Sequence, residues 1–443
     1  MGRWISLNDG ISIDDISFTL ERALTASRYK HLLESGFHVV IHSTGAVVIR
    51  NWIRLFDRKP SPIYNLVHLA GANFGSGLAH IGQGQLARWG RIVQGVERGV
   101  RVLEELEFGS WKTLDLHLDF LQAGSDMWED YRIQEFCMVG SQTLGELRMV
   151  PVRYVKEDSA DNTVRTSAAN LNFNYITVAP IDEAFGIKLR EIRRHVEHRI
   201  ADDKLPIQYY RYDASQLATH RREIPFAVLY ETAHFGRGIG IVDGQKNRRR
   251  VLPLLTGALS QPHDADAYRD TVGAWHQHSV ETFGRAGKLK GRLTEWNPQA
   301  QYEGHAQLVF RVRDQFGGDV EHHDITFKSR GPRSQLRLER LIEDKHVNRL
   351  NPGTVTFYLR LQKFRTQPEG AGWVNLLDRI ASLDFEITGY EARSGDIHYL
   401  PLTITLRPTI VRRIIQPFHT TLIDVTLLRL PSEKVFALSP SKA

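Results

Sequence analysis

Residues 37–53 read FHVVIHSTGAVVIRNWI. An apolar run of strand character, 37–41, meets His42-Ser43-Thr44-Gly45 and passes directly into a helix-compatible segment, 46–55. A strained strand-to-helix turn of this kind lifts a serine hydroxyl clear of the backbone and aims the following N–H at a developing oxyanion. The competing reading is that Ser43 only caps the helix beginning near Thr44. Working outward, residues 13–35 place Ile16, Leu20, Ala23, Leu24, Leu32 and Leu33 at helical spacing, with Ser12 and Asp14 as caps and Gly36 as a stop. After the turn KPSP, apolar strand segments at 64–70, 135–139, 173–178 and 226–230 alternate with helical stretches. That alternation predicts a mostly parallel sheet covered on both faces.

The pattern changes after about residue 290. Alternating strands follow at 306–314, 323–329, 354–362, 382–390, 400–408 and 420–429, bounded by Gly, Pro and Asn, and they predict an antiparallel β-sandwich. The expected division is 1–290 for the α/β unit and 291–443 for the sandwich. Within the first unit, residues 180–224 are charged and aromatic (Tyr209, Tyr210, Tyr212) and read as a partly helical insertion. It is either a lid over an apolar site or a solvated excursion.

The chain has 443 residues, enough for two or three domains with their own cores. Its formal charge of +6 is too small to imply nucleic acid without a concentrated stripe. The densest basic runs, 188–199 and 246–250, read as solvated surface or as attraction to phosphate-bearing partners or lipid headgroups. The single cysteine, Cys137, sits in an apolar run and reads as core. No run of 18 apolar residues and no secretory signal is found, so a soluble cytoplasmic product is expected, with signal-less export left open. His195/His198 and His322/His323 lack a third ligand at a recognisable spacing, and neither a metal nor a cofactor is expected.

A serine hydroxyl needs a histidine to take its proton, and the histidine needs a carboxylate to fix its tautomer. When the nucleophile sits on a strand-to-helix turn, the chain order is Ser, then Asp or Glu, then His. His234 in ETAHFGRGIGIV follows the strand at 226–230, and Asp161 in KEDSADNTVR lies between two strands. Asp158, Asp126 and Asp130 are rival carboxylates.

The combination of HSTGAVVIRNW (42–52), HLAGANFGSGLAHIGQGQLAR (68–88), GVERGVRVLEELEFGS (95–110), SADNTVR (159–165), TAHFGRG (232–238) and TTLIDVTLLR (420–429) resembles a group of bacterial α/β-hydrolases related to lipases and phospholipases. The resemblance spans most of the chain. It implies an α/β-hydrolase sheet followed by a β-rich C-terminal domain, with Ser43 as nucleophile, Asp161 as acid and His234 as base. His42, Asn73 and Phe74 are expected at the substrate pocket, and the Thr44 N–H as oxyanion donor. Four positions depart from the group's pattern: Gly71 stands for proline, Ala46 and Asn162 for glycines, and Phe235 for a small residue. Relatives also carry an upstream strand and a His-Gly loop with a second oxyanion donor. Only 42 residues precede Ser43 here, room for a short strand at 4–7 and one helix. Loss of one such donor typically costs about 100- to 1000-fold in rate.

The function these readings lead to is a serine carboxylic-ester hydrolase acting on a lipid or other ester. Its alternative is a catalytically weakened hydrolase-fold binding or scaffold protein. Association with a membrane surface, or with a protein partner or second subunit through the C-terminal domain, is compatible with either; nucleic acid is not.

Overall fold

The computed structural model describes residues 10–77, 99–122, 124–143, 157–186, 209–216, 218–291, 297–330, 338–365, 372–379, 382–432 and 434–435. The expected strand at 4–7, the basic run 188–199 and His195/His198 lie outside the described residues.

Two helices, rather than one, precede the serine corner. α1 (Ile13–Thr25) begins at Ser12, whose hydroxyl accepts from the Asp15 N–H at 3.1 Å while the Asp15 carboxylate accepts from the Ser12 N–H at 2.9 Å. Two donors of the unpaired first turn are thereby satisfied. The Thr25 hydroxyl bonds back to the Glu21 carbonyl at 2.9 Å, a local alternative to continuing the helix, and α2 (Lys30–Ser35) restarts after a turn. β1 (Phe37–His42) then leads into the corner, and α3 (Gly45–Phe56) leaves it. α3 buries Ala46, Val47, Ile49, Trp52 and Ile53, and the Trp52 indole donates to Glu21 of α1 at 3.0 Å.

β2 (Ile63–Leu69), α4 (Val100–Leu106), α5 (Trp111–Gln122) and β3 (Gln134–Gly140) follow. After them come β4 (Asn174–Pro180), β5 (Tyr210–Asp213) and β6 (Phe226–Leu229), then α6 (Arg248–Leu259) and α7 (Ala265–Ala286). The first sheet has the order β1-β2-β3-β6, and every pair is parallel. β3 is buried along its whole length and β2 nearly so, as expected of inner strands with helices on both faces. β1 is an edge strand among the described residues, and its side chains alternate between half-buried and exposed from Phe37 to Val40 before Ile41 is buried.

The C-terminal part contains β7 (His305–Asp314), β8 (His322–Arg330), β9 (Ile342–Val347), β10 (Thr354–Arg360), β11 (Gln362–Arg365) and β12 (Gly372–Asn375). It continues with β13 (Ser382–Tyr390), β14 (Ile397–Tyr399), β15 (Leu402–Leu406), β16 (Thr420–Leu427) and β17 (Arg429–Pro431). One sheet, β15-β13-β14-β17 with β8 on β13, is antiparallel throughout. The other, β5-β4-β16-β7-β10-β9, is mixed: β16 runs parallel to both β4 and β7. Here the structure differs from the purely antiparallel expectation, because β16 enters between two strands that run its own way.

β4 belongs to the first 290 residues, yet its sheet partners include β16, so the α/β and β-rich segments share a sheet. Side chains alternate across it. Phe310 and Ile423 join the core between the two C-terminal sheets, where Phe310, Phe327, Phe357 and Phe385 meet edge to face. Val309 and Leu422, one residue away, face the core of the parallel unit. In the insertion at 180–224, the described flanks are a 3-10 turn (Asp182–Gly186) and β5, which pairs antiparallel with β4; residues 187–208 lie outside the description.

Candidate active site

The corner has the backbone that an exposed nucleophile requires. Ser43 adopts φ 56°, a left-handed conformation uncommon for a residue with a Cβ. Its carbonyl accepts from the Ala46 and Ala72 N–H groups at 3.1 and 3.2 Å, and its N–H donates to Leu69 O at 3.2 Å. The end of β2 therefore pins the turn. Thr44 caps α3 through its backbone, with no side-chain capping bond, so Ser43 is not the helix cap. The positive end of the α3 dipole points into the corner, beside the Thr44 N–H.

Asp161 and His234 meet, as their order in the chain predicts. His234 Nδ1 lies 2.9 Å from Asp161 Oδ2, with the aspartate fully buried and the histidine 4% exposed. The Asp161 Oδ1 accepts from the Val164 and Thr163 N–H groups at 2.8 and 3.1 Å, and the His234 N–H donates to the Asp161 carbonyl at 2.8 Å. His42, the residue before Ser43, brings this pair to the corner. Its Nε2 donates to the His234 carbonyl at 3.1 Å, and the two rings lie 4.4 Å apart. Burial and the neighbouring His234 push the His42 pKa down to about 3, so it is a neutral donor at physiological pH and not a base.

Gly71, Ala46, Asn162 and Phe235 each have a local setting that suits them. A Cβ on Gly71 would lie 2.9 Å from the Ala46 Cβ, so glycine at 71 leaves room for the Ala46 methyl. Asn162 has φ 77°, where glycine is usual and asparagine is the best tolerated alternative. The Phe235 ring stands edge-on to His234 with centroids 6.2 Å apart, covering the imidazole.

Gly140 at the end of β3 admits the histidine loop. A Cβ there would lie 1.9 Å from the Thr232 carbonyl oxygen, two residues before His234. Gly140→Ala is therefore expected to displace that loop and lower kcat/KM by about 100-fold or more, since misplacement by about 1 Å has that effect. Ester hydrolysis by a variant with an unchanged circular-dichroism spectrum checks this.

Asn73 and Phe74, expected at the substrate pocket, are 2% and 1% exposed and pack against the segment that follows Asp161. The Asn73 amide donates to Ala169 O at 2.8 Å, the Phe74 N–H to Ala168 O at 3.0 Å, and the Ser76 hydroxyl to Thr163 O at 2.6 Å. This segment docks the acid loop. Two of the rival carboxylates have other work: Asp126 caps its own turn through the Trp128 and Glu129 N–H groups, and Asp130 accepts from the Asp126 N–H.

Two buried charged clusters have little signature in the sequence. Arg50 of α3 contacts Glu135 of β3 at 2.5 Å, and His68 of β2 lies 3.3 Å from the same carboxylate oxygen. Burial opposes the charge on Glu135, but Arg50 and His68 outweigh it and hold its pKa below the ordinary range. Arg165 is sandwiched between the rings of Phe108 and Tyr358 at 4.1 and 4.0 Å, with Glu157 and Asp344 at 2.6 and 2.7 Å. Arg50 and Glu135 interrupt otherwise apolar helix and strand patterns, whereas Arg165 lies in the polar stretch SADNTVR and carries no such signal.

His117 of α5 carries a pH dependence. It is fully buried against the Phe74 ring, and its Nε2 donates to the Asn73 carbonyl at 2.8 Å. Burial first, then Arg50, push its pKa from 6.5 down to about 3. Between those values the unfolded chain binds a proton that the native state refuses. Its contribution to stability is thus complete above the unfolded pKa and declines as pH falls, by up to about 1.4 kcal/mol per pH unit. The urea midpoint is expected to be lower at about pH 5 than at about pH 7.5, with a shallower dependence in His117→Gln.

No described helix is long and apolar enough to cross a membrane, and no metal-binding cluster of His, Cys, Asp or Glu occurs among the described residues. No family model and no curated protein matches the chain. Among solved structures, the chain is similar to phospholipase PlaB from Legionella pneumophila, with a TM-score of 0.78 at 22% identity, covering 100% of this chain and 88% of that one. The same enzyme in complex with thio-NAD gives 0.77 at 21% identity over the same shares. The protein thus has an α/β-hydrolase fold of the PlaB kind, with a β-rich C-terminal part.

Proposed function

We propose that the protein is a serine ester hydrolase of the lipase or phospholipase type, acting through an acyl-enzyme on Ser43. The observation that carries this reading is the buried 2.9 Å contact between His234 and Asp161, held by His42 beside a serine at φ 56°. The fold shared with a phospholipase supports a phospholipid ester as substrate.

In this reading the Ser43 hydroxyl attacks the ester carbonyl carbon while His234 Nε2 takes its proton. Asp161 holds Nδ1–H and stabilises the imidazolium. The tetrahedral oxyanion receives the Thr44 N–H, which makes no bond to another described group, and the positive end of α3. Collapse breaks the bond to the leaving alcohol, which takes the proton from His234. Water, deprotonated by the same imidazole, then releases the fatty acid and restores Ser43.

A serine-reactive fluorophosphonate tests the proposal. Covalent labelling that disappears in Ser43→Ala is the expected result. Absence of labelling in the intact chain would leave the binding or scaffold reading in its place.

A further inference from the structure

The basic run at 246–250 has a defined position relative to Ser43. α6 has its C-terminal end tied to the rim formed by the N-terminal ends of the strands, where Asn65 near the start of β2 donates to Ala258 O at 2.7 Å. Its N-terminal end is tied beside the outlet of β6, where Arg250 reaches the Glu231 carboxylate at 2.9 Å and lies over the Tyr230 ring. The first turn of α6 therefore stands on the rim formed by the C-terminal ends of the strands, the rim that carries Ser43 and His234. The intervening stretch is a closed shoulder: Gln245 N–H donates to Arg237 O at 2.9 Å, Gly244 N–H to Gly240 O at 3.0 Å, and the Asn247 amide to Ile239 O.

This shoulder and the outer face of α6 expose Arg237, Lys246, Arg248 and Arg249, none of which pairs with a carboxylate among the described residues. Asp243 is the nearby exposed acid. Val242 and Leu252, 60% and 49% exposed, stand among these cations. The first turn of α6 contains no acidic residue. Arginines there work against the helix's own dipole, so helix stability is not what these positions serve. Cations mixed with protruding aliphatic side chains match an anionic lipid surface, where headgroup phosphates meet the charges and the aliphatic groups enter the acyl boundary.

We infer that the shoulder Arg237, Val242, Lys246, Arg248, Arg249 and Leu252 is a docking surface for a bilayer containing anionic phospholipid, holding the Ser43–His234 rim against the headgroups. Its purpose rests on the ester-hydrolase reading, but its binding does not.

The test uses the full chain carrying Ser43→Ala, so that vesicles stay intact, sedimented with vesicles of phosphatidylcholine alone or mixed with phosphatidylglycerol. Binding is expected to the mixed vesicles, weakening with salt, and to fall about tenfold or more in Lys246→Gln/Arg248→Gln/Arg249→Gln. The charge-preserving Lys246→Arg/Arg248→Lys/Arg249→Lys variant should retain it. With Ser43 intact, the Gln variant should hydrolyse a water-soluble short-chain ester as the parent does and lose rate only on anionic vesicles. Equal binding by parent and Gln variant, or equal binding to neutral and anionic vesicles, overturns the inference. So does a Gln variant that loses affinity for heparin alone, which would assign the patch to a soluble polyanion. Charge-dependent vesicle binding by a chain without esterase activity would leave this surface standing and remove the ester-hydrolase reading.

Discussion

Ser43→Ala is expected to lower kcat/KM for a carboxylic ester by about 10⁵- to 10⁶-fold, or about 7–8 kcal/mol in the barrier, measured on a short-chain chromogenic ester. The hydroxyl is the only atom removed, and the turn is held by backbone bonds to Ala46, Ala72 and Leu69, so the fold should persist. Ser43→Gly separates chemistry from strain. It loses the same activity, but glycine is at ease at φ 56°, and the variant should gain up to about 1 kcal/mol of stability in urea titration. A Ser43→Ala chain that retained most of its activity would place the nucleophile elsewhere.

Asp161→Asn is expected to lower kcat by about 10⁴-fold with little structural change. The reason lies in the bonds of the two carboxylate oxygens. Oδ1 accepts from two backbone N–H groups, so in the variant the amide carbonyl must remain there. The amide NH₂ is thereby forced to face His234 Nδ1, which must become the acceptor. The proton then sits on Nε2, the atom that should receive the Ser43 proton. The ring stays in place but carries the wrong tautomer, and a proton-coupled nitrogen spectrum of the imidazole would display the exchange alongside the lost rate.

The pairing of Asp161 with His234 was legible because the chemistry demands a fixed order along the chain. Ser43, Asp161 and His234 were selected by strand context and sequence order, and the structure joins the last two in a hydrogen bond and sets His42 against them. The deep burial of Asn73 and Phe74 was not legible, because a polar-aromatic turn after a strand reads the same whether it faces solvent or packs against a loop. The sheet of β4 was hidden for a related reason: its apolar run states that it is inner, but not which neighbours it takes, and β16 lies more than 200 residues further on. The single predicted strand at 354–362 divides at Leu361, whose N–H donates to the Gly304 carbonyl at 2.8 Å, a tertiary contact without local signature. Arg50 and Glu135 lie inside a helix and a strand, and Arg165 in a polar loop, and none of these settings announces a buried charge. Only their mutual pairing in three dimensions makes them tolerable there.

The insertion of β16 between β4 and β7 imposes a timetable on biosynthesis. Domains generally fold as units while the ribosome is still adding residues. Here the strand just downstream of Asp161, β4, waits for a neighbour made more than 200 residues later. Nascent chains halted before residue 420 should leave that ladder open, and the segment between Asp161 and β4 should take its final place only after β16 has slotted in.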